Sequence, residues 1–416
     1  LPIFLSANAP SSTYETECSL NQADQIESFI LGKGTSEEGI VRYEYNSYGD
    51  MAAKYNHGFK EPITYRYSSE GNLDTISYKE GKKEIDYKLS YDRHKNITDV
   101  SLDSSFTISY SFNAHDMPLT EIIKDEFGSY QVGRTYDGEG KIQTLQLPDG
   151  SFIEYVYEGP FVKRARRLSK DKKELYTYQV ASRDLMGNIL EEILPGHLGS
   201  RKQLWDEAGC RIEISTDFFQ DRVLEGGYDP LENIKKRETV LDDETYTTDY
   251  DYNPLAQLIL EKGEIEHKYA YDSIGNRLQR DDSVYKVNGI NQLTEAEGAV
   301  YTFDPNGNLA TKTIGIRTWT YQSNHLNQII SIKDPDQNIV KFTYDPSGKR
   351  LTKRIEAKGK KTRIFRFFYL GGTEIGCVDE KGVITELKVL KLYGMAGAWS
   401  DLATNGNQDV LNSAHW

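Results

Sequence analysis

Large apolar side chains recur in pairs along this chain, with one residue between them, and a short polar stretch follows each pair. Tyr43 and Tyr45 form one such pair, and Phe342 and Tyr344 form another. Spacing by two places both rings on the same face of a β-strand, and aromatic residues suit a half-buried, pleated surface. The pattern therefore predicts strands that end at an aromatic residue, here termed the anchor.

A turn is predicted directly after each anchor. In Tyr271–Leu278 the anchor Tyr271 is followed by Asp-Ser-Ile-Gly-Asn-Arg-Leu. The aspartate side chain can accept hydrogen bonds from the backbone just ahead and open a turn, and Gly275 can take the positive φ that closes a longer hairpin loop. Leu278 then begins the return strand. Each unit is therefore a β-hairpin that reads aromatic-x-aromatic, Asp-x-x-Gly, Leu.

The hairpin unit is repeated along most of the chain, with looser copies between the sharper ones. Start-to-start steps between Tyr45 and Tyr136 are 22, 24, 21 and 24 residues, and such a period signals a repeat architecture. The residues assigned to the structural repeat motif are Tyr45, Gly49, Tyr67, Gly71, Tyr91, Asp92, Tyr136, Asp137, Gly140, Tyr271, Asp272, Gly275, Phe303, Asp304, Gly307, Tyr344, Asp345 and Gly348. Because one hairpin is not stable alone, neighbouring hairpins are expected to pair edge to edge in one long, twisted sheet.

One segment departs from the strand pattern and is predicted to be a short helix. Ser19–Leu31 begins with a capping-box pattern at Ser19 and Gln22, and its apolar residues recur at helical spacing. The predicted organisation is an N-terminal segment with a capping helix at 1–40, a sheet of repeated hairpins at 41–393 and a C-terminal tail at 394–416.

The reiterated phrase aromatic-Asp-x-x-Gly-Arg/Asn-Leu resembles the signature of YD-repeat proteins, the RHS family, over about Val41 to Tyr393. This group includes bacterial polymorphic toxins, the B and C components of toxin complexes, and animal teneurins. The resemblance implies an all-β fold in which a continuous spiral sheet forms a hollow shell or an open, barrel-like coil. In bacterial members the shell encloses a C-terminal toxic domain, and in teneurins it serves cell-surface adhesion.

Composition and charge narrow the functional classes. Hydrophobic residues make up only 38 % of the chain, which fits a single curved sheet that is wet on much of both faces. The net charge is −14, and an acidic chain is a poor general partner for nucleic acid, because Lys and Arg contacts to phosphate dominate such binding. No run of 18 apolar residues occurs, so no membrane span is predicted.

No catalytic motif, cofactor fingerprint or metal-ligand spacing is found in the sequence. The histidines fall in separate repeats, and His94, His115 and His325 are expected to be solvated turn residues. Turn chemistry alone explains the repeated aspartates. We therefore predict no catalytic residue, no cofactor and no metal site.

Three functional hypotheses from different classes remain open. The leading hypothesis is a non-enzymatic shell segment, bacterial and secreted or at the cell surface, that encapsulates or carries a polypeptide cargo such as a C-terminal toxin domain. The alternative is an adhesion module for a surface glycan or a receptor, since exposed Tyr and Trp suit such binding. A third hypothesis is an enzyme with aspartates on the shell wall, which would need two buried and closely opposed carboxylates.

Overall fold

The chain folds as a succession of antiparallel β-strands in two sheets, and within each sheet every strand pairs with the one that follows it in sequence. The computed structural model describes residues 3–9, 12–103, 105–196, 198–388, 400–402 and 410–411. These residues contain no helix and therefore none long and apolar enough to cross a membrane. The predicted all-β class, with long antiparallel sheets, is confirmed.

The strands form two sheets that follow one another in the sequence. The first sheet contains β1 (Ile3–Ala9), β2 (Ser12–Leu20), β3 (Ile26–Leu31), β4 (Gly39–Tyr45), β5 (Met51–Tyr55), β6 (Ile63–Tyr67), β7 (Leu73–Glu80), β8 (Lys83–Tyr91), β9 (Ile97–Leu102), β10 (Phe106–Phe112), β11 (Pro118–Asp125), β12 (Gly128–Tyr136), β13 (Ile142–Gln146), β14 (Phe152–Glu158), β15 (Phe161–Leu168), β16 (Glu174–Arg183), β17 (Ile189–Ile193), β18 (Ser200–Trp205), β19 (Arg211–Ser215), β20 (Phe219–Val223), β21 (Lys236–Leu241), β22 (Glu244–Tyr252), β23 (Leu258–Lys262), β24 (Glu266–Tyr271), β25 (Arg277–Arg280) and β26 (Ser283–Val284). The second sheet contains β27 (Lys286–Val287), β28 (Leu293–Ala296), β29 (Ala299–Phe303), β30 (Leu309–Ile314), β31 (Arg317–Ser323), β32 (Ile329–Lys333), β33 (Ile339–Tyr344), β34 (Arg350–Glu356), β35 (Arg363–Leu370), β36 (Thr373–Val378), β37 (Ile384–Lys388), β38 (Ser400–Leu402) and β39 (Val410–Leu411). Only Tyr285 separates β26 from β27, so the two sheets follow as one ribbon along the chain.

Successive hairpins place two kinds of turn at the two edges of this ribbon. The turns that follow an anchor, such as 46–50 between β4 and β5, lie on one edge, here termed the tip edge. The remaining turns, such as 32–38 between β3 and β4, lie on the opposite edge, here termed the far edge. Antiparallel strands alternate in direction, so every second turn falls on the same edge.

Strands late in the ribbon alternate between exposed and half-buried residues. In β24 the half-buried positions include Tyr269 and Tyr271, and in β31 they include Trp319 and Tyr321. The residues between them are exposed. The sheet is therefore a single layer here, with one aromatic face and one polar face.

The deepest core lies where early and late strands meet. Ile63, Ile108 and Leu145 from the early strands share one buried cluster with Phe368 and Ile375 from the late strands. Hydrogen bonds across this contact join residues that are 235 to 269 positions apart in the chain. The ribbon thus returns on itself, and we term the contact between its early and late parts the seam.

The predicted N-terminal helix is wrong, because its residues form the end of β2, a turn and β3. Asn21 Oδ1 accepts hydrogen bonds from the backbone N–H groups of Ala23 (2.9 Å) and Gln25 (3.1 Å), and Asp24 has a φ of 58°. The segment is a further tip turn, with Leu20 in the place of an aromatic anchor. β2 also pairs with β1, and β3 also pairs with β4, so the backbone N–H and C=O groups of this segment have hydrogen-bond partners on both sides. A helix would have satisfied the same groups within the segment.

The domain boundaries at residues 40 and 393 stay predictions. The predicted tail at 394–416 lies outside the described residues, apart from the backbone of β38 and β39.

Candidate functional site: the seam between early and late repeats

The tip turns share one hydrogen-bonding scheme, which the turn beginning at Asp272 illustrates. Its Oδ1 accepts hydrogen bonds from the backbone N–H groups of Ile274 (3.0 Å) and Asn276 (2.8 Å). Gly275 has a φ of 91°, a conformation that L side chains rarely adopt, and its N–H donates to the Asp272 carbonyl. The buried Asp272 carboxylate is therefore engaged in shaping the turn.

The other motif residues occupy equivalent positions in their own turns. The aspartates that accept two backbone hydrogen bonds in the same way are Asp92, Asp137, Asp304 and Asp345. The motif glycines with positive φ are Gly49 (90°), Gly71 (78°), Gly140 (82°), Gly307 (85°) and Gly348 (93°). Within the described part of the chain, no three His, Cys, Asp or Glu side chains gather as a group that could hold a metal. The structure thus distributes these residues along the ribbon.

The anchor tyrosines tie each hairpin to the one before it. Tyr67 Oη donates a hydrogen bond to the carbonyl of Met51 (2.9 Å), the first residue of β5. The same bond joins Tyr45 to Ile26, Tyr91 to Leu73, Tyr136 to Pro118 and Tyr344 to Ile329. Tyr271 and Phe303 end β24 and β29 at the equivalent position, where the phenylalanine ring has no hydroxyl to donate. The hydroxyl groups of the anchors therefore fix the position of each hairpin relative to the one before it.

Sequence reasoning missed the fifth position of the turn. When Asp opens the turn, the fifth residue is often Asn, as at Asn276, whose Nδ2 donates to Asp272 Oδ2 (2.7 Å). When Asn opens the turn, the roles are reversed, and Asn324 Nδ2 donates to Gln328 Oε1 (2.7 Å). The complementary pair four residues apart is visible in the sequence and would have identified the turn at Asn21.

A buried ion pair joins β35 to the early repeats. Arg366 is only 2 % exposed, and its Nε and Nη2 donate to Asp125 Oδ2 (2.7 Å) and Oδ1 (2.8 Å). Nη2 also donates to the Gly128 carbonyl (2.7 Å), and the guanidinium lies 4.5 Å from the ring centroid of Tyr130. The planar fork of Arg matches a carboxylate in two places and stacks on a ring, so Arg366 fixes β35 against the turn between β11 and β12.

A second buried pair lies beside the first. Arg134 Nη2 donates to Glu121 Oε2 (3.2 Å) and lies 3.3 Å from the Tyr369 carbonyl oxygen, which accepts a further bond. Burial raises the pKa of the Glu121 carboxyl above its ordinary value, although the charges of Lys349 and Arg134 act in the opposite direction. Side chains of the early strands thus bond to the backbone of the late strands.

A cluster of aromatic rings lies at the other end of the seam and includes His325. The expectation that His325 is a solvated turn residue is wrong. His325 follows Asn324 in a tip turn and is only 7 % exposed. Its ring stacks on Phe59, with 3.5 Å between the centroids, and on Tyr78 at 5.2 Å. Asn56 Nδ2 donates to the His325 carbonyl (2.8 Å). Burial lowers the pKa of the imidazole below its ordinary value, so the ring is neutral at neutral pH.

His94 and His115 are exposed in their turns, as expected. His94 Nδ1 lies 2.7 Å from Asp116 Oδ1 in the next tip turn, and this hydrogen bond raises the pKa of the imidazole. Two histidines at the same kind of turn therefore have opposite environments, because only the late turn meets another part of the ribbon.

Two curated bacterial proteins are similar to this chain in sequence. The chain is 28 % identical over 201 residues to double-stranded DNA deaminase toxin A of Burkholderia cenocepacia, over 44 % of this chain and 14 % of that protein. It is 23 % identical over 282 residues to tRNA nuclease WapA of Bacillus subtilis, over 63 % of this chain and 11 % of that protein. The matched region is therefore a small part of each relative.

Two solved structures of toxin complexes share the fold. The pore form of the Photorhabdus luminescens Tc holotoxin matches with a TM-score of 0.56 at 12 % identity, over 99 % of this chain and 25 % of that chain. The complex of TcdB2 and TccC3 without its hypervariable C-terminal region matches with a TM-score of 0.58 at 12 % identity, over 93 % of this chain and 27 % of that chain. At this identity the likeness concerns the fold alone.

One protein family accounts for most of the chain. The family described as Teneurin YD-shell matches residues 21–222 and 222–372. The match begins at the turn of Asn21, the segment that helical spacing had predicted to be a helix, and it includes both sides of the seam. The chain belongs to the teneurin YD-shell family, which agrees with the resemblance that its repeated turn phrase carries.

Proposed function

We propose that this chain is a non-enzymatic length of a spiral β-shell that encloses a polypeptide cargo, such as a toxin domain of the same precursor. The observation that carries the proposal is the seam. The ribbon meets itself again after 235 to 269 residues, and buried side chains such as Arg366 and His325 close the contact. In this proposal, the ribbon coils until it meets itself again and so surrounds a volume in which a polypeptide can lie.

The construction of the wall supports enclosure. Late strands such as β24 and β31 have one exposed face and one half-buried face. The buried cluster is concentrated where early and late strands meet. Because the sheet does not need a layer on each face to be stable, one face is left for the interior of the shell.

The use of the carboxylates supports a non-enzymatic role. Asp125 and Glu121, the buried acids of the seam, are each paired with an arginine. The turn aspartates accept backbone hydrogen bonds. These carboxylates form ion pairs and hydrogen bonds that stabilise the fold, so we assign any toxic activity to the cargo. The similar proteins, a deaminase toxin and a tRNA nuclease, are many times longer than the matched region.

The adhesion alternative has weaker support. Exposed aromatic side chains in the described residues include Tyr48, Phe161 and Phe218, and these three residues belong to hairpins that are not adjacent along the ribbon. A secreted or cell-surface location in a bacterium follows from the shell hypothesis, and the similar proteins named above come from bacteria.

The test is intact-mass analysis of the natural gene product, first under native and then under denaturing conditions. We expect a second polypeptide that stays bound natively and separates on denaturation. A single species under both conditions would refute the enclosure of a cleaved cargo.

Limited proteolysis then asks whether the bound polypeptide is inside. It should resist digestion in the wild type and be cleaved faster in Arg366→Met, which opens the seam. Arg317→Met is the matched control, because Arg317 forms an exposed ion pair with Asp336. Equal cleavage in all three proteins would show that the polypeptide is bound outside.

A further inference from the structure

One end of the seam is held together by uncharged groups. The ring of His325 stacks on Phe59, from the turn between β5 and β6, and on Tyr78 of β7. Asn56 donates a hydrogen bond to the His325 carbonyl (2.8 Å). We term these four residues the histidine end of the seam. Among their side chains and those of the whole tip turn 324–328, only the imidazole can gain a charge near neutral pH.

The surroundings of the imidazole suit its neutral form. His325 Nδ1 is buried and has no hydrogen-bond partner among the described residues. A neutral imidazole can keep its proton on Nε2, whereas an imidazolium carries an N–H on both nitrogens. The planes of Phe59 and Tyr78 lie 21° and 27° from the imidazole plane, so their faces attract a cation but supply no acceptor for a second N–H. Protonation therefore places a charged donor without a partner inside the contact.

The titratable groups of β7 and β8 do not compensate such a charge. Tyr87 of β8 lies behind Tyr78, with 6.3 Å between the ring centroids. Burial raises the pKa of both phenols above the ordinary value, so both are neutral. The carboxylates of Glu80 and Asp345 raise the pKa of Tyr87 further, whereas burial alone lowers the pKa of His325.

The turn between β5 and β6 carries three further titratable residues. His57 Nδ1 accepts a hydrogen bond from the Ile40 N–H (3.3 Å), which directs this ring to β4. Lys60 and Glu61 are exposed, and Glu61 pairs with Lys79 of β7 (3.8 Å). Within the described part of the chain, the packing around His325 thus contains no carboxylate that pairs with the ring.

The opposite end of the seam is built from charged pairs and responds differently to acid. Arg366 pairs with Asp125 through bonds of 2.7 and 2.8 Å, and Arg134 pairs with Glu121 (3.2 Å). The guanidinium groups keep their charge throughout. Burial raises the pKa of Glu121, and a carboxyl that binds its proton more readily in the closed seam favours the closed form as pH falls. We therefore expect this end to stay closed between pH 7 and 5.

We propose that His325 makes the seam an acid-sensitive closure, which opens at the histidine end in mild acid and stays closed at the Arg366 end. The closed seam holds the neutral imidazole, and the open seam lets the ring take up a proton in water. Because the open form binds the proton more readily, opening increases as pH falls below the ordinary pKa of about 6.5. The opening is a property of this chain and needs no cargo. Where the proposed cargo is enclosed, acid exposes it.

Hydrogen exchange of backbone amides between pH 7 and 5, corrected for the intrinsic effect of pH on exchange, tests the proposal. In the wild type, protection in residues 56–62 and 324–328 should fall by up to about ten-fold per pH unit below about 6.5, the limit that one proton sets. Protection in β12 and β35, at the opposite end of the seam, should not change over the same range.

Substitutions of the ring separate its protonation from its packing. His325→Phe keeps a ring that can stack on Phe59 and cannot bind a proton, so protection at the histidine end should not vary with pH. His325→Tyr provides a second test of the same design. The matched control is His115→Phe, which removes an exposed histidine from another tip turn and should behave as the wild type does.

Three results would overturn the proposal. A wild type that keeps its full protection at pH 5 would show that the seam accommodates the charged ring. A loss of protection in His325→Phe and His325→Tyr equal to that of the wild type would assign the effect to another group. An equal loss at both ends of the seam would show that acid unfolds the whole region.

Discussion

Replacing Arg366 by Met should destabilise the seam strongly. The substitution removes three hydrogen bonds of 2.7–2.8 Å and leaves the Asp125 carboxylate buried opposite an apolar side chain. Breaking a buried ion pair from one side costs about 3–5 kcal/mol, because the remaining charge loses its compensation. A domain is typically stable by about 5–15 kcal/mol, so we expect the loss of a large part of the stability of this region.

A second substitution, at Asp125, separates the loss of the hydrogen bonds from the cost of leaving a buried charge without its partner. In Arg366→Met/Asp125→Asn no buried charge is left, and the amide oxygen can still accept the hydrogen bond that Phe127 N–H donates to Asp125 Oδ1 (2.9 Å). We therefore expect the double variant to be more stable than Arg366→Met alone. Arg317→Met removes the exposed pair with Asp336 and should cost no more than about 1 kcal/mol.

Urea denaturation followed by circular dichroism measures the overall effect, and hydrogen exchange of backbone amides in β12 and β35 measures it at the seam. The exchange measurement is needed because a long repeat array can open in parts. If Arg366→Met were as stable as Arg317→Met and showed no faster exchange in β12 and β35, the assignment of Arg366 as the fastener of the seam would be refuted.

Three further predictions concern single residues. Burial lowers the pKa of His325 in the folded state. The stability that the neutral ring contributes is therefore present above the pKa of about 6.5 of the unfolded state, and it is lost as pH falls through the lower pKa of the folded state. Between pH 7 and 4 the melting temperature should fall less in His325→Phe than in the wild type, and equal falls would contradict this expectation. Gly275→Val places a β-branched residue at a φ of 91° and should cost about 1–3 kcal/mol in urea denaturation, whereas Ala256→Gly at the same turn position (φ 57°) should be neutral or stabilising; equal stability of both variants would show that the turn does not need this conformation. Tyr67→Phe removes the hydrogen bond to the Met51 carbonyl and should cost about 0.5–1.5 kcal/mol by thermal denaturation, with Phe303 as natural precedent for the ring alone; no change in melting would mean that the anchor hydroxyl does not stabilise the ribbon.

The hairpins were predictable because their determinants are local. An anchor ring, a side chain that accepts backbone hydrogen bonds and a residue with positive φ lie within five positions, and each repeat restates them. The error at Ser19–Leu31 also has a local cause. Leu20 replaces the aromatic anchor and Asp24 replaces the glycine, so the apolar residues that remain match helical spacing as well as they match two strands.

The seam was not predictable from the repeat, because its contacts join residues more than 200 positions apart. Arg366 lies in β35, which is buried at consecutive positions, unlike the alternating strands, but nothing near it in sequence indicates Asp125 as its partner. His325 occupies the same turn position as residues that are solvated in other repeats, and only the packing of Phe59 and Tyr78 against it makes it buried. The curvature of the ribbon decides which repeats meet.

The positions of the tip turn divide two tasks between them. The first, fourth and fifth residues form the turn itself, as Asp272, Gly275 and Asn276 show: the first is usually Asp or Asn, and the fourth has a positive φ. The second and third residues mostly take part in that scheme through their backbone, although Ser347 Oγ donates to Asp345 Oδ1 (2.7 Å), so their side chains can differ from repeat to repeat. Where the ribbon meets itself they are His325 or Ile290, and where it does not they range from Glu70 to leucine. A coiled ribbon of nearly identical hairpins can therefore specify its neighbours turn by turn without altering the fold that presents them.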